Sequence, residues 1–401
     1  MEVGSRLREP GATRAAVQRA GPPPRSAFGT VLRRLDWPLL GAALALSVLG
    51  ALLVYSATRG RSQLTGGDPY AFLTRHLVNL AIGIALAVGT MWLGPRRLRD
   101  LVPVLYGVTL LLVLAVLTPM GATINGSRRW IMIGGMSIQP AEFVKVAIVL
   151  AMAVLLATKV DTGDRPSPDS RSVLESLAVA GVPALLVLLT PDLGQFMGIG
   201  VIVLGVLLAS GASARWVTGL LAVGVLGALA VWQLHLLDQY QLNRFAAFAD
   251  PALDPSGVGY NTSQARIAIG AGGLLGQGLF HGAQTTGQFV PEQQTDFVFS
   301  VAGEELGFLG AGALIALLGV VLWRALRIAR ACPDLYGTVV ATGIVAWLAF
   351  QAFENIGMNL GIMPVTGLPL PFVSYGGSSM FAGWVAVGIL QGIRLQRPLS
   401  A

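Results

Sequence analysis

Residues 36–57 read DWPLLGAALALSVLGALLVYSA: one acid at the start, then a run of 21 positions without a charge. A helix rises 1.5 Å per residue and the hydrocarbon core of a bilayer is about 30 Å thick, so about 20 such residues span it. Comparable runs follow at about 74–94, 101–119, 140–157, 173–190, 193–210, 216–235, 297–322, 337–358 and 376–393. That pattern predicts an all-α polytopic membrane protein with ten transmembrane helices.

Composition agrees. Of 401 residues 54% are hydrophobic and 12% charged, and the mean hydropathy is +0.69. Soluble domains carry about 25% charged residues, so an ordinary soluble domain, a disordered chain and a disulfide scaffold are all excluded. The single cysteine, Cys332, excludes an intrachain disulfide and a cysteine metal cluster. His76, His235 and His281 lie far apart and form no metal-ligand spacing. The 51 glycines are nearly twice the usual share of roughly 7%, as expected where helices approach closely in lipid.

The net charge of +7 reads as topology, not as a nucleic-acid footprint, because of where the charges fall. Residues 1–34 carry seven arginines, a Pro22-Pro23-Pro24 run and no apolar core, so they predict a disordered basic cytoplasmic tail in place of a signal peptide. Ten spans then put nineteen Lys/Arg on the cytoplasmic side, counting those seven with Arg96, Arg97, Arg99, Lys159, Arg165, Arg171, Arg215, Arg324, Arg327, Arg330, Arg394 and Arg397. Seven fall outside: Arg59, Arg61, Arg75, Arg128, Arg129, Arg244 and Arg266. This asymmetry fits both termini in the cytoplasm, and one span more or fewer would reverse every later loop. The bundle is predicted to occupy residues 35–397, with one long outer loop, about 236–296, between helices 7 and 8. Its apolar stretches, Ile267-Ala268-Ile269 and Leu274-Leu275, predict short interfacial or re-entrant helices. No internal repeat is visible.

A charge at membrane depth costs about 2.5–3.5 kcal/mol, so such residues are functional candidates. Glu142 and Lys145 stand three apart on the fourth span, behind Pro140 at its first turn. They read either as an ion pair between helices or as the wall of a polar cavity facing a charged substrate. Arg128-Arg129-Trp130 at the outer interface is either an aromatic-belt anchor or a bidentate phosphate site. Asp296 sits where the polar loop meets the eighth span. A carboxylate there is a partly desolvated base, or simply the N-cap of the helix. Polar residues also stand within spans at Glu304-Glu305, Glu354, Asn355 and Asn359. The stretch 364–379, with three prolines and Gly376-Gly377, must line a cavity or be buried if it lies at membrane depth.

Taken together, these pieces resemble the SEDS family (shape, elongation, division, sporulation) over residues 36–397. The matching segments are Arg129-Trp130-Ile131, Gln139-Pro140-Ala141-Glu142 with Lys145, Pro191-Asp192-Leu193-Gly194, and Gly272-Gly273-Leu274 to Gly278. They continue with Pro291-Glu292, Thr295-Asp296-Phe297, Gly303-Glu304-Glu305-Leu306-Gly307 and 367–379. The wording of 363–371 is closer to the rod-elongation branch than to the division branch. Two departures are Thr190 and Gln195 around Pro-Asp-Leu-Gly, and Gln294 where a histidine is common, which argues against an obligatory His–Asp relay.

The resemblance implies a peptidoglycan glycosyltransferase of the cell membrane, polymerising lipid II on the extracytoplasmic side with an undecaprenyl diphosphate-linked glycan as donor. It implies a class B penicillin-binding protein transpeptidase as partner, elongation machinery around it, and no nucleic acid. It makes Asp296 essential, as general base or as ligand to a possible Mg²⁺ or Mn²⁺. The substrate contacts expected around it are Arg129, Trp130, Glu142, Lys145, Arg244, Glu292 and Ser374. The competing classes are a lipid II flippase or other transporter, and a non-catalytic scaffold.

Overall fold

The computed structural model describes residues 27–124, 127–134, 136–190, 192–235, 239–250, 254 and 257–396. The greater part of the expected basic tail, Gly126, Pro191 and Arg397 lie outside the described residues. Residues 1–35 form one unit and Asp36–Ala401 another. In the first, α1 (Ala27–Arg34) is helical where a disordered tail was expected, and Arg33 and Arg34 in its last turn suit a helix C-terminus.

The second unit opens with α2 (Trp37–Thr58), α3 (Ser62–Thr65) and α4 (Ala71–Leu117). A three-stranded antiparallel sheet follows, in the order β1 (Gly121–Ile124), β2 (Ser127–Ile133), β3 (Met136–Ile138). Helices α5 (Pro140–Asp161), α6 (Ser170–Leu189), α7 (Leu193–Ser210) and α8 (Ala214–Gln233) come next. The long loop contributes α9 (Gln239–Ala249), α10 (Val258–Ala271) and α11 (Ala283–Thr286). The chain closes with α12 (Val298–Arg330), α13 (Leu335–Leu360) and α14 (Gly377–Leu395).

Nine described helices are long and apolar enough to cross a membrane, against ten expected spans. The difference lies in α4. Its 47 residues run through Gly94 at φ 69°, ψ 162°, a left-handed conformation outside the helical region. Pro95 then starts the second segment at a position where its missing N–H is harmless. The segments 71–93 and 95–117 coincide with the expected second and third spans. The sheet is the other departure from an all-helical reading. Its strands have three to seven residues, too short to show a period-2 pattern beside 20-residue apolar runs.

Helix starts follow local chemistry. Asp36, Asp169, Asp192 and Asp334 each accept a backbone N–H in the first turn of α2, α6, α7 and α13. Within the bundle α14 packs along α4, α13 along α7 and α12 along α2. Helices meet where side chains are small: a Cβ on Gly388 would lie 2.3 Å from the Ala87 carbonyl oxygen. By contrast α8 buries no residue at all.

At the α2 start, the fully buried Asp36 carboxylate is held by two other helices. Arg324 of α12 binds it through Nε at 2.8 Å and Nη2 at 2.7 Å, and Arg394 of α14 through Nη1 at 2.5 Å. Gln391 exchanges two further bonds with the Asp36 backbone.

The 33-residue α12 is broken at Gly307 (φ 67°). A broken helix leaves open N–H and C=O groups that lipid cannot satisfy. The glycine-rich stretch 272–278 satisfies them. Gln277 and Gly278 donate to the carbonyls of Glu304 and Glu305 at 2.9 and 3.1 Å. Phe308 and Leu309 donate to those of Gly273 and Leu274 at 2.8 and 3.1 Å. The backbones touch so closely that a Cβ on Gly307 would lie 2.2 Å from the Gly276 nitrogen. This clasp fastens the second half of the long loop to α12, and leaves 298–306 as a short stub carrying the end of that loop.

Candidate active site

Asp296 stands at the foot of the α12 stub, in a turn built on one carbonyl. The Glu292 oxygen accepts the N–H groups of Thr295, Asp296 and Phe297 at 3.1–3.2 Å, and Glu292 itself takes φ 49° to make this possible. The helix begins at Val298, with Phe297 in the cap position and no side-chain cap. The Asp296 carboxylate is therefore not consumed as an N-cap, the plainest alternative the sequence offered. It is half-buried, and a Cβ on Gly367 (φ 81°) would lie 3.2 Å from its Oδ2. Burial and the neighbouring Glu292 push this carboxyl up to about 6, against the opposing pull of Arg244 and Arg129.

One face of α13 positions that turn. Trp347, Gln351, Asn355 and Asn359 recur every four residues, so they line one buried stripe. Asn355 and Asn359 both donate to the Asp296 backbone carbonyl at 3.0 Å. Asn355 also holds the Leu368 carbonyl at 2.8 Å, and Gln351 the Pro369 carbonyl at 2.8 Å. Glu354, buried on the same helix, accepts from the Thr366 hydroxyl. Ser374 completes the frame: its hydroxyl donates to the Thr295 carbonyl at 2.6 Å and accepts from Leu370 N–H at 2.8 Å. The segment 364–376 is thus tied on one side to α13 and on the other to the Asp296 turn.

The other expected residues form two groups around this frame. Lys145 binds Glu142 at 3.0 Å and Gln351 at 2.8 Å, and lies 4.9 Å from the centre of the Trp347 ring. Gln195 donates to the same Glu142 oxygen at 2.5 Å. Both side chains are buried, so each is the polar partner that makes burial of the other tolerable. Through Gln351 the pair also supports the Pro369 carbonyl. Arg129, on β2, is buried against Asp192 at 3.3 Å, and Asp192 also accepts from Gln139 at 3.1 Å. Trp130 is half-buried opposite Ala122 on β1 and makes no hydrogen bond or ring contact with the Asp296 turn among the described residues. Arg244, on α9, reaches the Thr366 carbonyl at 3.3 Å, next to Gly367.

Among the described residues no group of three or more His, Cys, Asp or Glu side chains is arranged to hold a metal ion. The Asp296 carboxylate stands outside any such group. That carboxylate offers at most one ligand to a Mg²⁺ or Mn²⁺ carried in by phosphate oxygens and water. The sequence noted Asn355, Asn359 and Glu354 as polar residues in a span, but not that the two asparagines hold the Asp296 turn and Glu354 the Thr366 hydroxyl. The four-residue spacing from Trp347 was the available signal.

The family model described as a cell cycle protein, covering FtsW, RodA and SpoVE, matches residues 37–398. The peptidoglycan glycosyltransferase MrdB of Escherichia coli (strain K12) is 36% identical over 91% of this chain and 95% of its own. The probable peptidoglycan glycosyltransferase FtsW of Trichlorobacter lovleyi is 36% identical over 90% of this chain and 93% of its own. A solved structure described as showing coordination of polymerization and crosslinking by a peptidoglycan synthase complex superposes with a TM-score of 0.74. It is 34% identical and covers 91% of this chain and 99% of that one. With the family model spanning the whole helical unit, the chain belongs to the FtsW/RodA/SpoVE family and is, like these relatives, a glycosyltransferase.

Proposed function

We propose that this protein polymerises lipid II into β-1,4 peptidoglycan strands at the outer face of the membrane, with Asp296 as general base. The observation that carries this reading is the Asp296 carboxylate itself. It is unused by capping, framed by α13 and the 364–376 segment, and pushed up to about 6, near the working pH where a base is most effective. The growing glycan on undecaprenyl diphosphate is the donor, and the GlcNAc 4-hydroxyl of lipid II is the acceptor. The hydroxyl oxygen bonds to the donor's anomeric carbon from the face opposite the diphosphate, and its proton passes to Asp296. The bond from that carbon to the phosphate oxygen breaks, and the electron pair stays on the diphosphate. The α-linked donor thereby gives a β-linked product. Fixed cations stabilise the departing charge. The isoprenoid tails stay in the bilayer, since withdrawing them into water costs about 0.8 kcal/mol per CH₂.

The likeness to a structure of a peptidoglycan synthase complex supports a class B penicillin-binding protein transpeptidase as partner. The wording of 363–371 favours the elongation machinery and a rod-shape role. A division role is the second reading, because relatives named MrdB and FtsW are equally similar. Rescue of rod-shape and division depletion strains by this chain separates the two.

The test is a polymerisation assay with purified protein and labelled lipid II, with and without EDTA, comparing wild type with Asp296→Asn. Wild type is expected to give a glycan ladder, and Asp296→Asn to lose roughly 100- to 10,000-fold in rate while inserting and folding normally. A fully active Asp296→Asn overturns the assignment. No ladder from wild type, even with a cognate transpeptidase present, favours a flippase or a scaffold.

A further inference from the structure

Between α9, α10 and the turn at 361–365 lies a cavity of about 140 Å³, room for several water molecules. Two charged side chains line it, Arg244 from α9 and Arg266 from α10, and no carboxylate is among its described lining residues. Ala247, Phe248 and Val258 give the wall an apolar side. Arg266 forms no ion pair among the described residues. Its stem is set over Gly361, where a Cβ would meet the Arg266 Cδ at 3.2 Å and where φ is +75°. Arg244 reaches the Thr366 carbonyl, and the next residue, Gly367, lies against the Asp296 carboxylate. Arg244 therefore links the cavity to the segment that lies against the reacting centre. Arg129, the other cation expected to receive phosphate, is instead seated on Asp192.

We propose that this cavity seats the diphosphate of the lipid-linked donor, with Arg266 as its second cation beside Arg244. This rests on the polymerase reading. The donor is the substrate that fits, because its diphosphate is bonded directly to the carbon under attack and must lie at the reacting centre, across that carbon from the base. In the acceptor a disaccharide separates the diphosphate from the reacting hydroxyl. Two arginine forks suit two phosphoryl groups and can bind each through paired N–H donors. As the bond to the anomeric carbon breaks and the electron pair moves onto the diphosphate, the same two cations meet the added charge.

A purely structural role for Arg266 also has a physical basis, since it lies by the C-terminus of α13, where a cation is favourable. The experiment separates the two. Full-length protein in nanodiscs is titrated with undecaprenyl diphosphate, with inorganic diphosphate as competitor, for wild type, Arg266→Gln, Arg266→Lys and Asp296→Asn. Arg266→Gln is expected to bind the lipid diphosphate roughly tenfold or more weakly, from the loss of one charge-assisted contact. Arg266→Lys should fall between, Asp296→Asn should bind like wild type, and inorganic diphosphate should compete in wild type. Unchanged affinity in Arg266→Gln, with or without a lower melting temperature, overturns the proposal. Binding of inorganic diphosphate without the lipid form overturns it too, by revealing a free-phosphate site. A wild type that polymerises, paired with an Arg266→Gln that binds normally, sinks this site alone. Arg266-dependent binding by a wild type that makes no glycan sinks the polymerase reading and leaves the diphosphate site standing.

Discussion

Moving the enzyme from pH 7 to pH 5 should lower kcat/KM about tenfold. The base must be ionised to accept a proton, so rate rises with pH through its pKa and then levels. With the Asp296 carboxyl at about 6, the ionised share is about nine-tenths at pH 7 and about one-tenth at pH 5. An ordinary aspartate, near 3.9, would still be about nine-tenths ionised at pH 5 and would show almost no fall. The two causes of the raised value can be separated. Glu292→Gln removes the like charge and leaves burial in place, so the inflection should move to lower pH and activity at pH 5 should recover in part. The assay is the initial rate of labelled lipid II polymerisation from pH 4.5 to 8, with melting temperatures alongside to show that the protein stays folded. A flat profile between pH 5 and 7, or an inflection that moves to higher pH in Glu292→Gln, would refute Asp296 as a desolvated base.

Gly367→Ala puts a methyl group 3.2 Å from the Asp296 carboxylate in a left-handed backbone position; the rate should drop sharply in the same polymerisation assay while membrane insertion, followed by fractionation, is retained. Gly307→Ala cannot be accommodated without parting the clasp, because its Cβ falls 2.2 Å from a backbone nitrogen, and should appear as loss of monodisperse protein on size exclusion. Asp36→Asn leaves Arg324 and Arg394 short of their shared carboxylate, at a cost of roughly 2–4 kcal/mol, visible as a lower melting temperature with glycan synthesis retained at low temperature.

The membrane fold was legible because the bilayer imposes one length scale, and runs such as 36–57 or 140–157 meet it without help from tertiary contacts. The break in α4 was legible too, as two runs, 74–94 and 101–119, separated by a stretch carrying Arg96, Arg97 and Arg99. The sheet at 121–138 was not, since three short strands next to long apolar runs carry no distinct period. At the site, Asp296 stood out at the polar–apolar boundary, where position alone read as readily as an N-cap, and the resemblance of Thr295-Asp296-Phe297 made it the candidate. Its supports were hidden for a different reason. Asn355 and Asn359 act on a residue about sixty positions earlier, and Ser374 on one 79 positions earlier. A single sequence records such residues as polar side chains in odd places, and only the packing of α13 against the loop says what they hold. Arg266 was counted as one of the outer charges. Its meaning depends on a cavity whose walls come from three separate segments.

The α13 frame also fixes an order of assembly. A chain is made and inserted from its N-terminus, so the clasp at Gly307 has both halves available as soon as α12 emerges. The Asp296 turn does not. Its carbonyl waits for Asn355 and Asn359, and its flanks wait for Gly367 and Ser374. A nascent chain that has threaded every helix up to α12 therefore carries the Asp296 carboxylate on an unfinished mount. Synthesis of α13 and of the 364–376 segment completes the mount, and a product interrupted before them is left inserted with that turn unsupported.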